Sequence, residues 1–276
     1  MPRLLIVNAD DLGADVRRND GILEAHVRGV VTSATLLVTL PGAEDAAKRL
    51  KLSPFLGVGL HLNLSEGRPA SRGLKTLVGP DGGFWGKGEI RRRLRGGMVD
   101  PAEIRREIGE QLGRMADLGL APDHVDGHHH IQVYPGVIVP LAEAMKERGI
   151  RWVRLPAELV GSAGEMAAER RASLAEYAAL TPSARKTALD QGLRAPAGFL
   201  GVALTGSLSA QGILEALPKA PEGASELMVH PGYADPEKGG FSGAEREAEL
   251  SVLTDPALRE GIARLGFRLT SFRDLP

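Results

Sequence analysis

The run Leu4-Leu5-Ile6-Val7-Asn8-Ala9-Asp10-Asp11-Leu12-Gly13 decides the fold. Its first half reads as a buried strand. It ends in two carboxylates and one glycine, where an open doubly wound sheet would place a glycine-rich phosphate turn. Downstream, short β-branched runs alternate with longer segments of helical period. Strands are expected at Leu4–Asn8, Val31–Val38, Val58–Leu64, His124–Gly127, Trp152–Leu155, Leu200–Leu204, Glu226–Val229 and Arg268–Ser271. Helices are expected at about Asn19–Arg28, Gly42–Leu50, Ala102–Leu118, Gly136–Arg148, Glu165–Gln191, Ala210–Leu217 and Gly243–Arg264. This alternation builds parallel βαβ units. It predicts an α/β fold, a distorted (β/α) barrel in which residues 1–276 form a single domain. Residues 65–100, with many glycines plus Pro69, Pro80 and Trp85, read as a long loop leaving the barrel top. Residues 160–197, rich in Ala, Glu and Arg, read as a helical insertion.

Composition excludes several function classes. Hydrophobic residues make up 43% of the 276 and charged residues 25%, the balance of an ordinary globular chain. A net charge of −1 supplies no global field, so neither nucleic acid nor an anionic membrane is an expected partner. The chain has no cysteine, which removes disulfides, thiolate catalysis and cysteine-ligated metal. Any metal must be held by histidine and carboxylate. The N-terminal apolar run is too short, and too soon acidic, for a secretory signal. The stretch Val30–Ala43 is broken by Thr32, Ser33, Thr35 and Thr39, so no membrane span is expected and the location expected is cytoplasmic. A homodimer would be ordinary, and no residue decides it.

The seven histidines carry the functional signal, because five of them fall at or just beyond the end of an expected strand. In a parallel α/β fold those ends converge on one face. Asp10-Asp11 occupies the same kind of position. Two adjacent carboxylates there repel by roughly 3 kcal/mol at about 5 Å and an effective dielectric near 20. A cation relieves that repulsion and leaves one carboxylate free as a base; the bland alternative is a helix N-cap. His61 alternates with apolar neighbours in Gly57-Val58-Gly59-Leu60-His61-Leu62-Asn63-Leu64, as a ligand or as a hydrogen-bonded core residue. In Asp126-Gly127-His128-His129-His130, extended backbone puts Asp126, His128 and His130 on one face. A site using both His128 and His130 is therefore an alternative, as is a bare histidine loop. His230, in Val229-His230-Pro231-Gly232, suits an acid or base near neutrality, or is a turn residue. Asp126 could orient a ligand histidine through its second nitrogen. Arg154 orients Asp10 or substrate, or forms a surface ion pair. His26 and His124 read as structural.

Taken together, Asn8-Ala9-Asp10-Asp11-Leu12-Gly13, His61-Leu62-Asn63-Leu64, Asp126-Gly127-His128-His129-His130 and His230-Pro231-Gly232 resemble the YdjC-like carbohydrate deacetylases. The resemblance implies a distorted α/β barrel related to polysaccharide deacetylases, acting on N-acetylated chito-oligosaccharides or smaller N-acetylated sugars. By that resemblance Asp11, His61 and His128 match the metal ligands, Asp10 the catalytic base and His230 the acid. It suggests magnesium, while the donor set is equally compatible with zinc, manganese or cobalt. Two other classes remain at this point. One is another metal-dependent amidase or phosphoesterase on the same barrel rim. The other is a non-catalytic sugar-binding protein, for which an acid and a base would be superfluous.

Overall fold

Apolar alternation along the first strand sets the layout of the whole molecule. The computed structural model describes residues 3–159, 167–235 and 243–275. Its strands are β1 (Arg3–Leu12), β2 (Ser33–Leu36), β3 (Gly57–Leu62), β4 (His124–Gly127), β5 (Trp152–Val153), β6 (Gly198–Leu200), β7 (Ala224–Val229) and β8 (Phe267–Thr270). They form one curled parallel sheet in the order β5-β4-β3-β2-β1-β7-β6, with β8 paired to β1. β7 runs along Leu4–Ala9 on one edge of β1, while β8 and β2 pair with Arg3–Ile6 and Asn8–Leu12. The curl is a half-barrel, and among the described residues its two ends meet through the single bridges Trp152–Arg194 and Glu158–Phe199.

Nine helices flank this sheet among the described residues: α1 (Val16–Arg28), α2 (Ala43–Leu50), α3 (Lys87–Arg95), α4 (Pro101–Asp117), α5 (Pro135–Glu147), α6 (Ala168–Asp190), α7 (Ala210–Ala216), α8 (Ala244–Thr254) and α9 (Pro256–Arg264). Side-chain oxygens of Asp15, Asp100, Ser209 and Asp255 cap α1, α4, α7 and α9 by accepting an otherwise orphaned backbone N–H. Leu5, Val7 and Ala9 of β1 join the main apolar core. Ile6 belongs to a separate small cluster with Phe272 and Leu275. Phe272 also stacks on His124, ring centroids 3.8 Å apart, so the C-terminal turn plugs the end where the strands begin. Asn8 and Asp10 continue the row that Ile6 starts, so polar groups gather at the opposite end. No helix among the described residues is long and apolar enough to cross a membrane.

Several expected boundaries shift for local reasons. The expected helix Gly243–Arg264 is two helices, because Pro256 lacks an N–H and Asp255 caps the second. The expected strand Leu200–Leu204 stops at Leu200. Gly201 has φ +141°, and Glu158 draws the N–H groups of Gly201 and Ala203 to 3.1 and 3.2 Å. The helical insertion is α6; the expected start at Glu165, within 160–166, lies outside the described residues.

The 65–100 excursion contains α3 and is fastened to α4 by a polar ladder. Glu107 accepts the N–H groups of Ala70 and Ser71, both at 2.8 Å. Glu103 accepts those of Lys75, Thr76 and Leu77 at 2.7, 2.8 and 3.1 Å. Gln111 pairs with the backbone of Asn63 in both directions, at 3.0 and 2.6 Å. These three residues, four apart, lie on one helix face.

Candidate metal centre

The centre begins with a β-bulge. Ala9 and Leu12 of β1 face Ala34 and Leu36 of β2, so β1 carries one extra residue between them. Asp11 takes up the excess with φ +68°, a left-handed conformation that aspartate tolerates better than most residues. Its side chain thereby joins the strand-end groups beside Asp10. Gly13, at φ +86°, closes the turn, and its N–H donates to Asn19 Oδ1 at 2.7 Å.

Asp11 Oδ1 lies 3.5 Å from His61 Nε2 and 3.1 Å from His128 Nδ1, and those two nitrogens are 3.3 Å apart. The oxygen is buried, and apart from the two imidazoles no polar group among the described residues satisfies it. Three donors each about 2.1 Å from one ion stand about 3.0 Å apart at octahedral angles and about 3.4 Å apart at the tetrahedral angle. The triangle therefore has the dimensions of a cation site. A second group, Asp10, His61 and Asp126, is close enough for a cation. It already holds one: Arg154, fully buried, places its guanidinium on both oxygens of Asp10 at 2.6 Å and 2.9 Å from Asp126. Arg154 also meets Glu226 at 2.7 Å. It is an interior hub, and a surface ion pair is ruled out.

Both donor histidines carry a carboxylate on their second nitrogen. His61 Nδ1 is 2.6 Å from Asp126 Oδ1, and His128 Nε2 is 2.9 Å from Glu66 Oε2. That arrangement fixes the tautomer and raises the basicity of the nitrogen facing the ion. Burial works against charge on His128, but Asp11 and Glu66 outweigh it and push its pKa up to about 9. Burial likewise opposes the Asp11 and Asp10 carboxylates. Arg246 and His128 hold Asp11 well below the usual range, and Arg154 chiefly does so for Asp10. Burial pushes Glu226 up in spite of Arg154.

His230 Nε2 lies 3.9 Å from Asp10 Oδ2, and the His230 backbone N–H donates to Glu249 at 2.6 Å. Burial lowers the His230 pKa, with Glu249 and Asp10 acting against it. A cavity of about 470 Å³ opens over these groups, lined also by Glu66, Lys87, Arg170, Tyr177 and Thr205.

The expected common face of Asp126, His128 and His130 does not form. β4 ends at Gly127, and His129 and His130 turn left-handed at φ +57° and +54°. Arg91 and Tyr177 cap the His129 carbonyl at 3.0 and 3.1 Å. The His130 ring packs in T-shaped contact with the rings of Tyr177 and Phe199. His130 stands outside the donor triangle, and burial holds its pKa well below the ordinary histidine value. Sequence reasoning also missed Glu66, Arg246, Glu226 and Glu249. Of these only Glu226 carried a signal, as an acid inside a buried strand; the others lie in a loop or within a helical pattern.

A parallel half-barrel with two histidines and one aspartate at its strand ends defines the class of protein. The chain belongs to the YdjC-like family, whose model, described as YdjC-like protein, matches residues 4–264. It is 41% identical over 302 residues to a carbohydrate deacetylase of Mus musculus, covering 99% of this chain and 96% of that protein. It is 36% identical over 279 residues to a chitooligosaccharide deacetylase of Serratia marcescens, covering the whole of both. A crystal structure from Enterococcus faecalis V583, of a protein named for cellobiose-phosphate cleavage, has a TM-score of 0.81 and 25% identity, covering 99% of this chain and 98% of that one.

Proposed function

We propose that this protein is a metal-dependent hydrolase that removes the acetyl group from an N-acetylated sugar of chito-oligosaccharide type. The deacetylases named among its relatives support the reaction class. The observation that carries the metal reading is the donor triangle of Asp11, His61 and His128, with edges of 3.1–3.5 Å, beside Asp10. Those three residues would hold one divalent ion; the resemblance favours magnesium, and zinc, manganese or cobalt also suit the donors. The chemistry such an ion supplies is a lowered pKa for bound water and a polarised acetyl carbonyl.

The chain's own residues do the rest. Asp10 takes the proton of the attacking water, and Arg154 keeps both of its oxygens in a fixed plane. A carboxylate so held is a weak base, which positioning must offset. His230, whose Nε2 lies 3.9 Å from Asp10 Oδ2, delivers a proton to the departing amine. Asp126 keeps His61 oriented. A phosphoesterase would commonly use a second ion, and the two carboxylates that could hold one, Asp10 and Asp126, are already paired with Arg154.

The test exploits the leaving group. An amine anion is too basic to depart unprotonated, whereas a nitrophenoxide leaves with little help. His230→Ala should therefore cripple acetate release from N-acetylglucosamine oligomers by about 10²-fold or more and spare nitrophenyl acetate. Equal loss on both substrates would remove the acid assignment.

A further inference from the structure

The two donor histidines are clamped from unlike places. Asp126, behind His61, is fully buried at the end of β4 and ion-paired to Arg154. Glu66, behind His128, belongs to the excursion that follows β3, and its side chain is 57% exposed on the cavity wall. We propose that Glu66 is the positioning residue for His128, so that the grip of the metal centre on its ion is set by the start of the excursion. This rests on the metal reading above.

Local geometry shows how a half-exposed side chain is held to one place. Asn63, buried at the end of β3, accepts the N–H groups of Ser65 and Glu66 on its side-chain oxygen, both at 3.0 Å. Its amide nitrogen donates to the Glu66 carbonyl at 2.7 Å and to Thr39 at 2.9 Å. Gln111 of α4 secures the Asn63 backbone from behind. The Glu66 backbone is thus tied to the core while its carboxylate reaches back 2.9 Å to His128 Nε2. His128 has no other carboxylate on that nitrogen among its described contacts, and its other nitrogen faces Asp11. Without Glu66 the ring keeps its place in the wall but loses what selects its tautomer and sharpens Nδ1 as a donor.

The test is a titration of metal-stripped full-length protein with Co²⁺, read by calorimetry and by the visible absorption of the bound cobalt. Wild type, Glu66→Ala, Glu66→Gln and His61→Ala are compared. Glu66→Ala should bind one ion about 10- to 100-fold more weakly, with an altered cobalt spectrum. Glu66→Gln should recover part of that loss, because its amide oxygen still accepts the Nε2 hydrogen. His61→Ala should lose the site. An unchanged affinity in Glu66→Ala would overturn the proposal while leaving the metal centre intact. Loss in Glu66→Ala as complete as in His61→Ala would also overturn it, since Glu66 would then be a ligand. If His61→Ala binds Co²⁺ like wild type, the metal reading itself falls, and this proposal with it.

Discussion

Asp10 and Asp11 are neighbours in sequence, and in a regular strand their side chains would leave opposite faces of the sheet. The bulge between Ala9 and Leu12 aims Asp11 at His61 and His128 while Asp10 keeps its inward place under Arg154. The two carboxylates can therefore be separated by mutation. Asp10→Asn should keep its metal, measured by elemental analysis, and lose about 10²- to 10⁴-fold in turnover. A variant near the wild-type rate would make Asp10 structural only. At this scale the sequence was informative where a side chain's direction follows strand alternation, as for His61. It misleads where the backbone leaves that alternation: extended register would keep His130 on the face of His128, whereas left-handed turns at His129 and His130 carry it to Tyr177. No periodicity registers such a turn in non-glycine residues.

Elements were legible by type and less so by their ends. β4 lies where expected, at His124–Gly127, whereas α3 was hidden in a stretch whose glycines and prolines read as loop. The ladder of Glu103, Glu107 and Gln111 was illegible because acids on a helix ordinarily face water. Here they replace the ladder partners that an excursion without a sheet neighbour lacks. Burial opposes the Glu103 charge, but hydrogen bonds from Thr76, Lys75 and Leu77 prevail and lower its pKa. A carboxyl lowered on folding stabilises the fold above its unfolded pKa, about 4.3, and that contribution fades as pH falls through the folded value. Glu103→Gln should cost about 1–3 kcal/mol at pH 7. The gap in urea midpoint between wild type and variant should narrow as pH falls below about 4.3; a gap independent of pH would contradict this account. Gly21 makes a second test. A Cβ there would lie 2.5 Å from Gly232 Cα, so α1 and the turn after His230 touch through two glycines. Alanine favours a helix interior by about 1 kcal/mol. Gly21→Ala should nonetheless lower turnover on the amide by displacing His230, and should not raise Tm. A more stable variant with unchanged activity would refute the contact's importance.

At the scale of the whole molecule, the parallel sheet turns a list of residues far apart in sequence into one centre. β1, β3, β4, β5 and β7 each end there, bringing Asp10 and Asp11, His61, Asp126 and His128, Arg154, and His230 to the same rim. The barrel and its polar end were readable because βαβ alternation fixes the direction of every strand. The half-closure was not, since it depends on two single bridges, Trp152–Arg194 and Glu158–Phe199, that leave no pattern in the sequence. The opposite end is closed by Phe272 and Leu275 packed against Ile6, and the cavity over Asp11 opens onto the centre. Acetate release from an N-acetylated chito-oligosaccharide, followed while metal-stripped protein is titrated with one divalent ion, tests the central claim most directly. The stripped protein should be inactive, and activity should rise with bound ion and level off at one equivalent per chain. Full activity in the stripped protein, or no acetate from any N-acetylated sugar at saturating metal, would contradict it.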